Sequence, residues 1–290
     1  MQNINDYWNS LKIFNEFDIN ACAFGRVTTQ GNRDWSFKHF TASFNKLYFM
    51  ESGSLTIEQT DSAGNIIKTY ELTAGNVYLI PCGNVYNLYT DPGFSKHFLH
   101  INVMMKDGYD LFYGVGDILS APYPTDVFLP LCERLDDNDY FSVVKAKSIA
   151  YDALITIIEN GNSDLLSQRF YTVSKYPPEL INAIKHIRTS LSAKLTVENV
   201  ASECGMSSQV LAKLFSKYMN ITPKKYMETQ LWELSSRLLL TSDMSIKEIT
   251  AELEFSDQYS FSKFFKRHCT HSPSQYRMFR LNENNHHTQC

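Results

Sequence analysis

The sequence lacks the features that mark membrane and fibrous proteins. No run of about 18 uncharged apolar residues is present, and a membrane-spanning helix needs such a run. The segment from Met1 to Trp8 has no basic stretch followed by an apolar one, as a secretory signal would. Low-complexity tracts are also absent. We therefore expect a globular, cytoplasmic protein that has no membrane partner.

Closely spaced cysteines and recognisable catalytic motifs are missing as well. The six cysteines are Cys22, Cys82, Cys132, Cys204, Cys269 and Cys290. They form no Cys-x-x-Cys pair and none of the short spacings that seed a structural zinc site, so we expect free thiols. No Gly-rich phosphate loop, nucleophile elbow or pair of catalytic carboxylates stands out. We predict neither an enzyme nor a bound cofactor.

The net charge of −4 hides an asymmetry along the chain. Residues 1–174 carry 12 basic and 20 acidic side chains, whereas residues 175–280 carry 15 basic and 10 acidic ones. Neutralisation of phosphates supplies most of the non-specific affinity of proteins for DNA. The basic segment therefore indicates DNA binding, although lysines that only solvate helix faces would give a similar excess.

The first third of the chain has the pattern of β-structure. Short runs rich in Phe, Tyr, Val and Ile are separated by turn residues at intervals of about ten. The strand candidates are 46–51, 55–58, 66–72, 77–80 and 98–103. We expect these strands to close as a small barrel, which removes exposed edges and leaves room for one small ligand.

From about residue 124 the apolar period changes from two to between three and four, which predicts helices. A long helix over 140–159 has an apolar stripe that packs either on the barrel or on the same helix of a second copy. Two prolines at 177 and 178 then break the chain. The expected organisation is an N-terminal domain at 1–165, a linker at 166–178, a C-terminal domain at 179–281 and a disordered tail at 282–290.

The last hundred residues contain an internal repeat with a period of about fifty. Val200 matches Ile249 at an offset of 49, and later matches have an offset of 50, so the second copy holds one extra residue. Each copy has a short helix, a tight turn and a second helix. A serine, Ser207 or Ser256, precedes this second helix, and its hydroxyl can cap the free amides. This pattern predicts two helix-turn-helix units.

The second helix of each unit buries apolar residues at i, i+4 spacing and leaves its other face for a major groove of DNA. In the first copy the candidate DNA contacts are Ser207, Ser208, Gln209, Ala212, Lys213 and Ser216. In the second copy they are Ser256, Asp257, Gln258, Tyr259, Ser262, Lys263 and Lys266. A plain amphipathic helix would supply a similar polar face, so the pattern alone leaves both interpretations open.

Residues from about 180 to 280 resemble the DNA-binding domain of the AraC/XylS family of transcription regulators. The matching positions in the second copy are Ile246, Ile249, Phe255 to Asp257, Phe261 to Lys263, Phe265 to Arg267 and Ser272 to Arg277. The resemblance implies that a rigid helix, here about 224–241, sets two recognition helices in successive major grooves. It also implies specific binding to double-stranded promoter DNA and activation through contact with RNA polymerase.

The sequence departs from the family pattern at three informative positions. Glu254 stands in the turn where the second unit usually has glycine, whereas the first unit has Gly205, and Thr270 replaces another usual glycine. Because residues other than glycine resist positive φ angles, we expect strained or altered turns there. Ala212 is small where a longer reading side chain is common, so the first unit is expected to make fewer base contacts.

The strand region resembles, more weakly, the cupin barrel that many of these regulators use to sense small molecules. The resemblance rests on Gly53 and on the segment 72–81. Cupin enzymes hold a metal with a tight cluster of histidines and a glutamate, but His39, His97 and His100 are too scattered for one, so we predict no metal.

Aromatic side chains in the strands could hold a sugar-like or aromatic effector, although such rings often only fill a core. The candidate effector-binding residues are Tyr48, Tyr78, Tyr86 and His39.

The sequence thus predicts an α+β protein of two domains: a cupin-like β-barrel with following helices, and an all-α domain with two helix-turn-helix units. The favoured function is a homodimeric transcription activator that responds to a small-molecule effector, with a carbohydrate as one candidate. In one alternative the barrel binds no ligand and serves only for dimerisation. In another the protein is a cupin enzyme with a helical appendage, which the missing metal cluster disfavours.

Overall fold

The computed structural model describes ten stretches of the chain. These are residues 17–29, 36–61, 63–91, 93–105, 108–113, 115–124, 126–128, 140–161, 175–269 and 271–284. The chain divides into two compact units, which we call the strand unit and the helical unit. The strand unit consists mainly of Ile19–Val103 and Phe112–Leu166, and the helical unit mainly of Ser167–Arg277. The predicted two-domain α+β architecture is confirmed.

The described part of the strand unit contains nine strands. They are β1 (Phe17–Thr28), β2 (Phe37–Thr41), β3 (Asn45–Ser52), β4 (Ser54–Thr60), β5 (Ile66–Thr73), β6 (Asn76–Ile80), β7 (Val85–Thr90), β8 (Ser95–Met105) and β9 (Leu119–Pro122). One sheet has the order β1-β8-β3-β6-β9 and the other β2-β7-β4-β5. The five strands predicted from the sequence correspond to β3, β4, β5, β6 and β8. The expected barrel is thus built as two facing sheets, which are not closed into one ladder.

Short turns connect successive strands of these sheets. Gly53 joins β3 to β4 with a φ of +67°, and a Cβ atom there would lie 2.9 Å from the Cα of Phe94. After β4, the Asp61 carboxylate accepts hydrogen bonds from the backbone N–H groups of Ala63 and Asn65, at 2.9 and 2.8 Å. Such Asx turns reverse the chain within a few residues. The turn at Gly53 carries the chain from the five-stranded sheet to the four-stranded one. The Asx turn then joins β4 to its neighbour β5 within the four-stranded sheet.

Helix α1 (Tyr140–Glu159) packs on the outer side of the five-stranded sheet, with contacts to β6 and β9. Its buried residues are Ala146, Ile149, Ala150, Ala153, Leu154 and Ile157. On another side of the helix Val144 is 66% exposed, Tyr151 38% and Ile155 53%. The described apolar residues thus form two stripes, one buried against the sheet and one exposed.

The helical unit contains seven described helices. They are α2 (Pro178–Thr189), α3 (Val197–Glu203), α4 (Ser208–Met219), α5 (Pro223–Thr241), α6 (Ile246–Glu252), α7 (Gln258–His268) and α8 (Pro273–Asn284). Helix α5 corresponds to the connecting helix expected at 224–241. Helix α8 ends at Asn284, so residues 282–284, which we placed in a disordered tail, are helical; residues 285–290 lie outside the described chain.

The segment Met104–Leu111 belongs to the helical unit, although it lies within the range predicted as one contiguous N-terminal domain. It begins with the last two residues of β8, and the chain then returns antiparallel, with the N–H of Met105 bonded to the carbonyl of Tyr109 at 2.9 Å. Tyr109 is 8% exposed and joins the apolar core formed by α2, α3, α4 and α5. Its ring meets Tyr226 edge-on, with centroids 5.1 Å apart. A non-local segment therefore completes the core of the first helix-turn-helix unit.

Candidate nucleic-acid interface and sensor interior

The first helix-turn-helix unit consists of α3 and α4, held by caps at both helix starts. Thr196 caps α3 and exchanges hydrogen bonds with Asn199 in a capping box. Ser207 caps α4, as predicted, and its hydroxyl accepts from the N–H of Val210 at 3.3 Å. Leu211 and Phe215 of α4 are 0% exposed. Burial of this i, i+4 pair fixes which face of α4 turns outward.

The second unit, α6 and α7, repeats this arrangement with one correction to the sequence analysis. The cap of α7 is Asp257 rather than Ser256, and its carboxylate accepts from the N–H of Ser260 at 2.6 Å. The Ser256 hydroxyl instead bonds to that of Ser260 at 2.9 Å. Serine and aspartate are equally good caps, so the sequence did not decide between neighbours. Asp257 thus corresponds to Ser207, the cap in the first copy, at an offset of 50. This correspondence leaves Ser256 as the extra residue of the second copy.

This alignment places equivalent side chains at equivalent positions of the two helices, at an offset of 50. Lys213 of α4 corresponds to Lys263 of α7, and both are exposed. Gln209 corresponds to Tyr259, which is 77% exposed. The other candidate contacts are also at the surface. Ser207, Ala212, Ser216, Ser256, Asp257, Gln258 and Lys266 are exposed, and Ser208 and Ser262 are partly exposed. The predicted contact residues thus share the outward faces of α4 and α7.

The cap assignment changes what Asp257 can do at this surface. Hydrogen bonds from the Ser260 N–H and hydroxyl hold the pKa of Asp257 below its usual value. A carboxylate that remains charged repels phosphates, so Asp257 is placed to orient α7 rather than to grip the DNA backbone. The last turn of α7 instead carries Lys266 and Arg267, whose positive charges also complement the helix dipole.

The turns between the paired helices confirm the expectation of backbone strain in the second unit. Gly205 has a φ of +66° and Glu254 has a φ of +56°. Each turn is closed in the same way: the N–H of Met206 bonds to the Ala201 carbonyl, and the N–H of Phe255 bonds to that of Thr250. Glu254 therefore adopts the conformation that glycine provides in the first unit. Thr270, the other replaced glycine, lies outside the described residues.

Helix α5 connects the two units and is buried on several sides. Its Trp232 ring stacks on His268 of α7, with centroids 6.1 Å apart. Burial lowers the pKa of His268, which keeps this ring neutral near pH 7. A further tie joins α8 to α5, since the Arg277 Nε donates to the Leu239 carbonyl at 3.3 Å. Rigid packing of this kind suits the simultaneous placement of two recognition helices.

The predicted effector residues divide between the interior of the strand unit and its rim. Tyr48 and Tyr86 are 1% exposed and lie between the sheets, and burial raises the pKa of the Tyr86 phenol. The Tyr78 hydroxyl accepts from the N–H of Thr73 at 2.9 Å, so this group has a structural role. His39 is partly exposed in a bulge of β2, with a φ of +53°. Tyr78 lies opposite Tyr48 in the ladder of β3 and β6, so its ring is on the same side of the sheet as that of Tyr48.

Sequence reasoning missed two lysines in this interior, Lys46 and Lys96, which are 3% and 0% exposed. Lys46 Nζ lies 4.2 Å from the centroid of the Phe40 ring, and Lys96 Nζ lies 2.9 Å from that of Tyr48. Strand β3 is buried on both faces, so its sequence lacks the polar–apolar alternation that would have indicated an inward lysine.

Two of the scattered histidines, His97 and His100, contact other side chains. His97 Nε2 is bonded to the Glu51 carboxylate at 2.8 Å, and His100 stacks on Phe44 with centroids 4.5 Å apart. Hydrogen bonds from His97 and Ser95 lower the pKa of Glu51 to about 2, against the effect of burial. Within the described residues, no group of three or more His, Cys, Asp or Glu side chains could hold a metal ion. No described helix is long and apolar enough to cross a membrane.

Comparisons with known proteins agree with this arrangement. Residues 183–278 match the family described as a helix-turn-helix domain. The HTH-type transcriptional regulator AlkR of Acinetobacter baylyi is 25% identical over 92% of this chain and 97% of its own length. The Msm operon regulatory protein of Streptococcus mutans is 27% identical over 93% and 98%. The lactose operon transcription activator of Staphylococcus xylosus is 26% identical over 72% and 77%.

Solved structures extend the similarity to both units. The crystal structure of ToxT from Vibrio cholerae with bound unsaturated fatty acid has a TM-score of 0.53 and 14% sequence identity. The match covers 91% of this chain and 95% of that one. At this identity the likeness concerns the fold alone, and it supports the arrangement of a strand-rich unit followed by a helical one.

Proposed function

We propose that this chain is a DNA-binding transcription regulator of the AraC type and that α4 and α7 read promoter DNA. Its residues 183–278 match a helix-turn-helix domain, and its relatives include transcription regulators. The observation that carries the proposal is that α4 and α7 turn equivalent positions outward. Both helices have a capped start, a buried aromatic or aliphatic pair and an exposed lysine at the same position.

The exposed side chains suit two kinds of contact with DNA. Lys213 and Lys263 lie in the middle of their helices, where a side chain reaches base edges, and lysine favours the O6 and N7 atoms of guanine. Lys266 lies one turn further along α7, where a basic side chain meets the phosphate backbone. In the first unit Ser216 occupies the equivalent position and Ala212 is small, so we expect the second unit to make more contacts.

A comparison of two lysines of α7 tests this assignment. On a duplex enriched by the full-length protein, Lys263→Ala should weaken specific binding by about 1–3 kcal/mol and non-specific binding much less. Lys266→Ala should weaken both to a similar extent and lower the salt slope by about one. Lys145→Ala, an exposed lysine of α1, is the matched control. Equal losses for specific and non-specific DNA in all three variants would remove the assignment.

We further propose that the protein is a homodimer that activates transcription through contact with RNA polymerase. The family resemblance supports both partners, and the exposed stripe of α1 offers a surface for the second copy. The regulators AlkR and the lactose operon activator, as their names state, act on transcription, which favours a regulator over a cupin enzyme with a helical appendage.

Control by a small-molecule effector completes the proposal. The interior of the strand unit holds polar and aromatic side chains together, as ligand sites do. A carbohydrate is one candidate, because tyrosines can stack on a sugar and because one of the named relatives is the lactose operon transcription activator. An effector bound there would act by shifting the population of chains that is able to engage DNA. The alternative is a strand unit that serves dimerisation only.

A further inference from the structure

The second residue of α4 and the second residue of α7 differ in chemistry, although they occupy equivalent positions. This residue is Gln209 in α4 and Tyr259 in α7. Both side chains are exposed, that of Tyr259 by 77%. The three phenylalanines of α7, by contrast, are at most 6% exposed. Helix α7 therefore packs with its phenylalanines and turns the Tyr259 ring toward the surface that we assign to DNA.

Each of these residues lies one turn before the lysine of its helix. Gln209 precedes Lys213 by four residues and Tyr259 precedes Lys263 by four, so each pair shares one face. Residues with this spacing have Cβ atoms about 5–6 Å apart, and successive base pairs of DNA are about 3.4 Å apart. Where the lysine contacts a guanine, the residue one turn earlier should therefore face a base pair roughly one or two steps away.

The charges of α7 indicate which part of the helix lies over the bases. Asp257 caps the start of the helix, with its carboxylate bonded to the Ser260 N–H, and phosphates repel this negative group. Lys266 and Arg267 lie in the last turn, where they can neutralise phosphates. In helix-turn-helix proteins the first residues of the second helix commonly contact base edges. We therefore expect the ring of Tyr259, in the first turn, to meet a base edge.

An A·T pair presents two different features in the major groove. The N6 and N7 atoms of adenine form a pair of hydrogen bonds with a side-chain amide, and the 5-methyl group of thymine makes apolar contacts. The amide of Gln209 suits the first feature, and the face of the Tyr259 ring suits the second. A G·C pair offers neither the adenine edge nor a methyl group.

We propose that Tyr259 determines specificity at one A·T pair under α7 by packing on the 5-methyl group of its thymine, whereas Gln209 reads the adenine of an A·T pair under α4. The inference rests on the proposed reading of DNA by α4 and α7, and it names the base pair that each helix requires near the guanine of its lysine. The two halves of the site then share an A·T pair and depend on different atoms of it.

Removal of single methyl groups from the DNA tests the role of Tyr259. On the duplex enriched by the full-length protein, deoxyuridine replaces one thymine at a time, which deletes only the 5-methyl group. One such replacement should weaken wild-type binding about fourfold, as expected for the loss of one buried methyl group. Tyr259→Ala should bind the thymine duplex at least about fourfold more weakly and should be insensitive to that replacement. Tyr259→Phe keeps the ring, so it should keep both the affinity and the sensitivity.

Replacement of single adenines by 7-deazaadenine, which lacks the N7 acceptor, is the matched test of Gln209. One replacement should weaken wild-type binding about fivefold, as expected for the loss of one hydrogen bond. Gln209→Ala should be insensitive to it and should respond to the deoxyuridine replacement as the wild type does. Tyr259→Ala should show the converse pattern. The two sensitive base pairs should lie about one helical turn apart, roughly 10 base pairs.

Several results would overturn the inference. A deoxyuridine scan in which no effect depends on Tyr259 would remove the methyl contact, and a Tyr259→Phe variant as weak as Tyr259→Ala would assign the effect to the hydroxyl group. A 7-deazaadenine scan in which no effect depends on Gln209 would remove the contrast between the halves. Alanine has a high helix propensity, so Tyr259→Ala should fold, which circular dichroism checks.

The same experiments separate this inference from the function on which it rests. Enrichment of a specific duplex without either dependence rejects the assignment of Tyr259 and Gln209 alone. Failure of the wild-type protein to enrich any sequence rejects the proposed reading of DNA by α4 and α7, and the assignment with it.

Discussion

At the scale of single residues, Glu254 introduces backbone strain into the turn of the second helix-turn-helix unit. Glu254 has a φ of +56°, in the left-handed region where a Cβ atom meets the following carbonyl. Its counterpart Gly205 adopts the same conformation without this cost, and a Cβ atom built there has open space around it. The difference between the two turns is therefore one of backbone energy rather than packing.

Exchange of the two residue types should shift stability in opposite directions. Glu254→Gly should stabilise the helical unit by up to about 1 kcal/mol, and Gly205→Ala should destabilise it by about 1 kcal/mol. Urea unfolding followed by circular dichroism measures both. The control is Glu252→Gly, at an exposed helical position, where glycine should cost about 0.5–1 kcal/mol. A loss of stability in Glu254→Gly as large as in that control would contradict the strain argument.

At the scale of elements, the first helix-turn-helix unit depends on a segment that is distant in sequence. Tyr109 fills part of the core around Ile184, Phe215 and Tyr226. At Gly108, whose φ is +77°, an added Cβ would collide with the Tyr226 hydroxyl. The segment Met104–Leu111 therefore fits this core closely and cannot be treated as a surface loop.

Removal of this ring should loosen the first unit in preference to the second. Tyr109→Ala is expected to cost about 3 kcal/mol, as for other buried aromatic residues, and to speed hydrogen exchange of α2 and α4 more than that of α7. Tyr113→Ala, at a 38% exposed position of the strand unit, is the control. Hydrogen exchange with mass spectrometry reads both. Equal protection of α2 in wild type and Tyr109→Ala would refute the packing role.

The helices and strands also show which features could be predicted from the sequence and which could not. The repeat predicted both helix-turn-helix units, because each copy has its own caps and its own buried pair. A pattern that occurs twice is unlikely to arise by chance. The same reasoning erred by one residue at Ser256, since adjacent Ser and Asp both cap well. It missed the place of Tyr109 because a contact between distant segments leaves no local pattern. It missed Lys46 because a strand buried on both faces shows no alternation.

At the scale of the whole molecule, the homodimer that we propose has a candidate interface on α1 of the strand unit. Val144, Tyr151 and Ile155 are spaced by seven and four residues, so they lie on one side of α1. All three are exposed in the single chain. An apolar stripe of this length on a helix is typical of a helix–helix interface.

Ile155→Asp should weaken dimerisation, because it places a charge in the centre of the proposed interface. We expect the dimer dissociation constant to rise at least about tenfold, measured by sedimentation velocity over a range of protein concentrations. The matched control is Ile66→Asp, at a 56% exposed position of β5. A wild-type protein that stays monomeric, or a dimer that both substitutions weaken alike, would rule out α1 as the interface.

The central claim is that two linked recognition helices read a specific DNA sequence. Selection of bound duplexes from a random pool, with the full-length protein at moderate salt, tests it most directly. Helices set in successive major grooves predict enrichment of a site about two turns long for each protomer, with salt-dependent affinity. Salt-sensitive binding that enriches no sequence would contradict the claim and leave the basic helical unit as a non-specific binder of the DNA backbone.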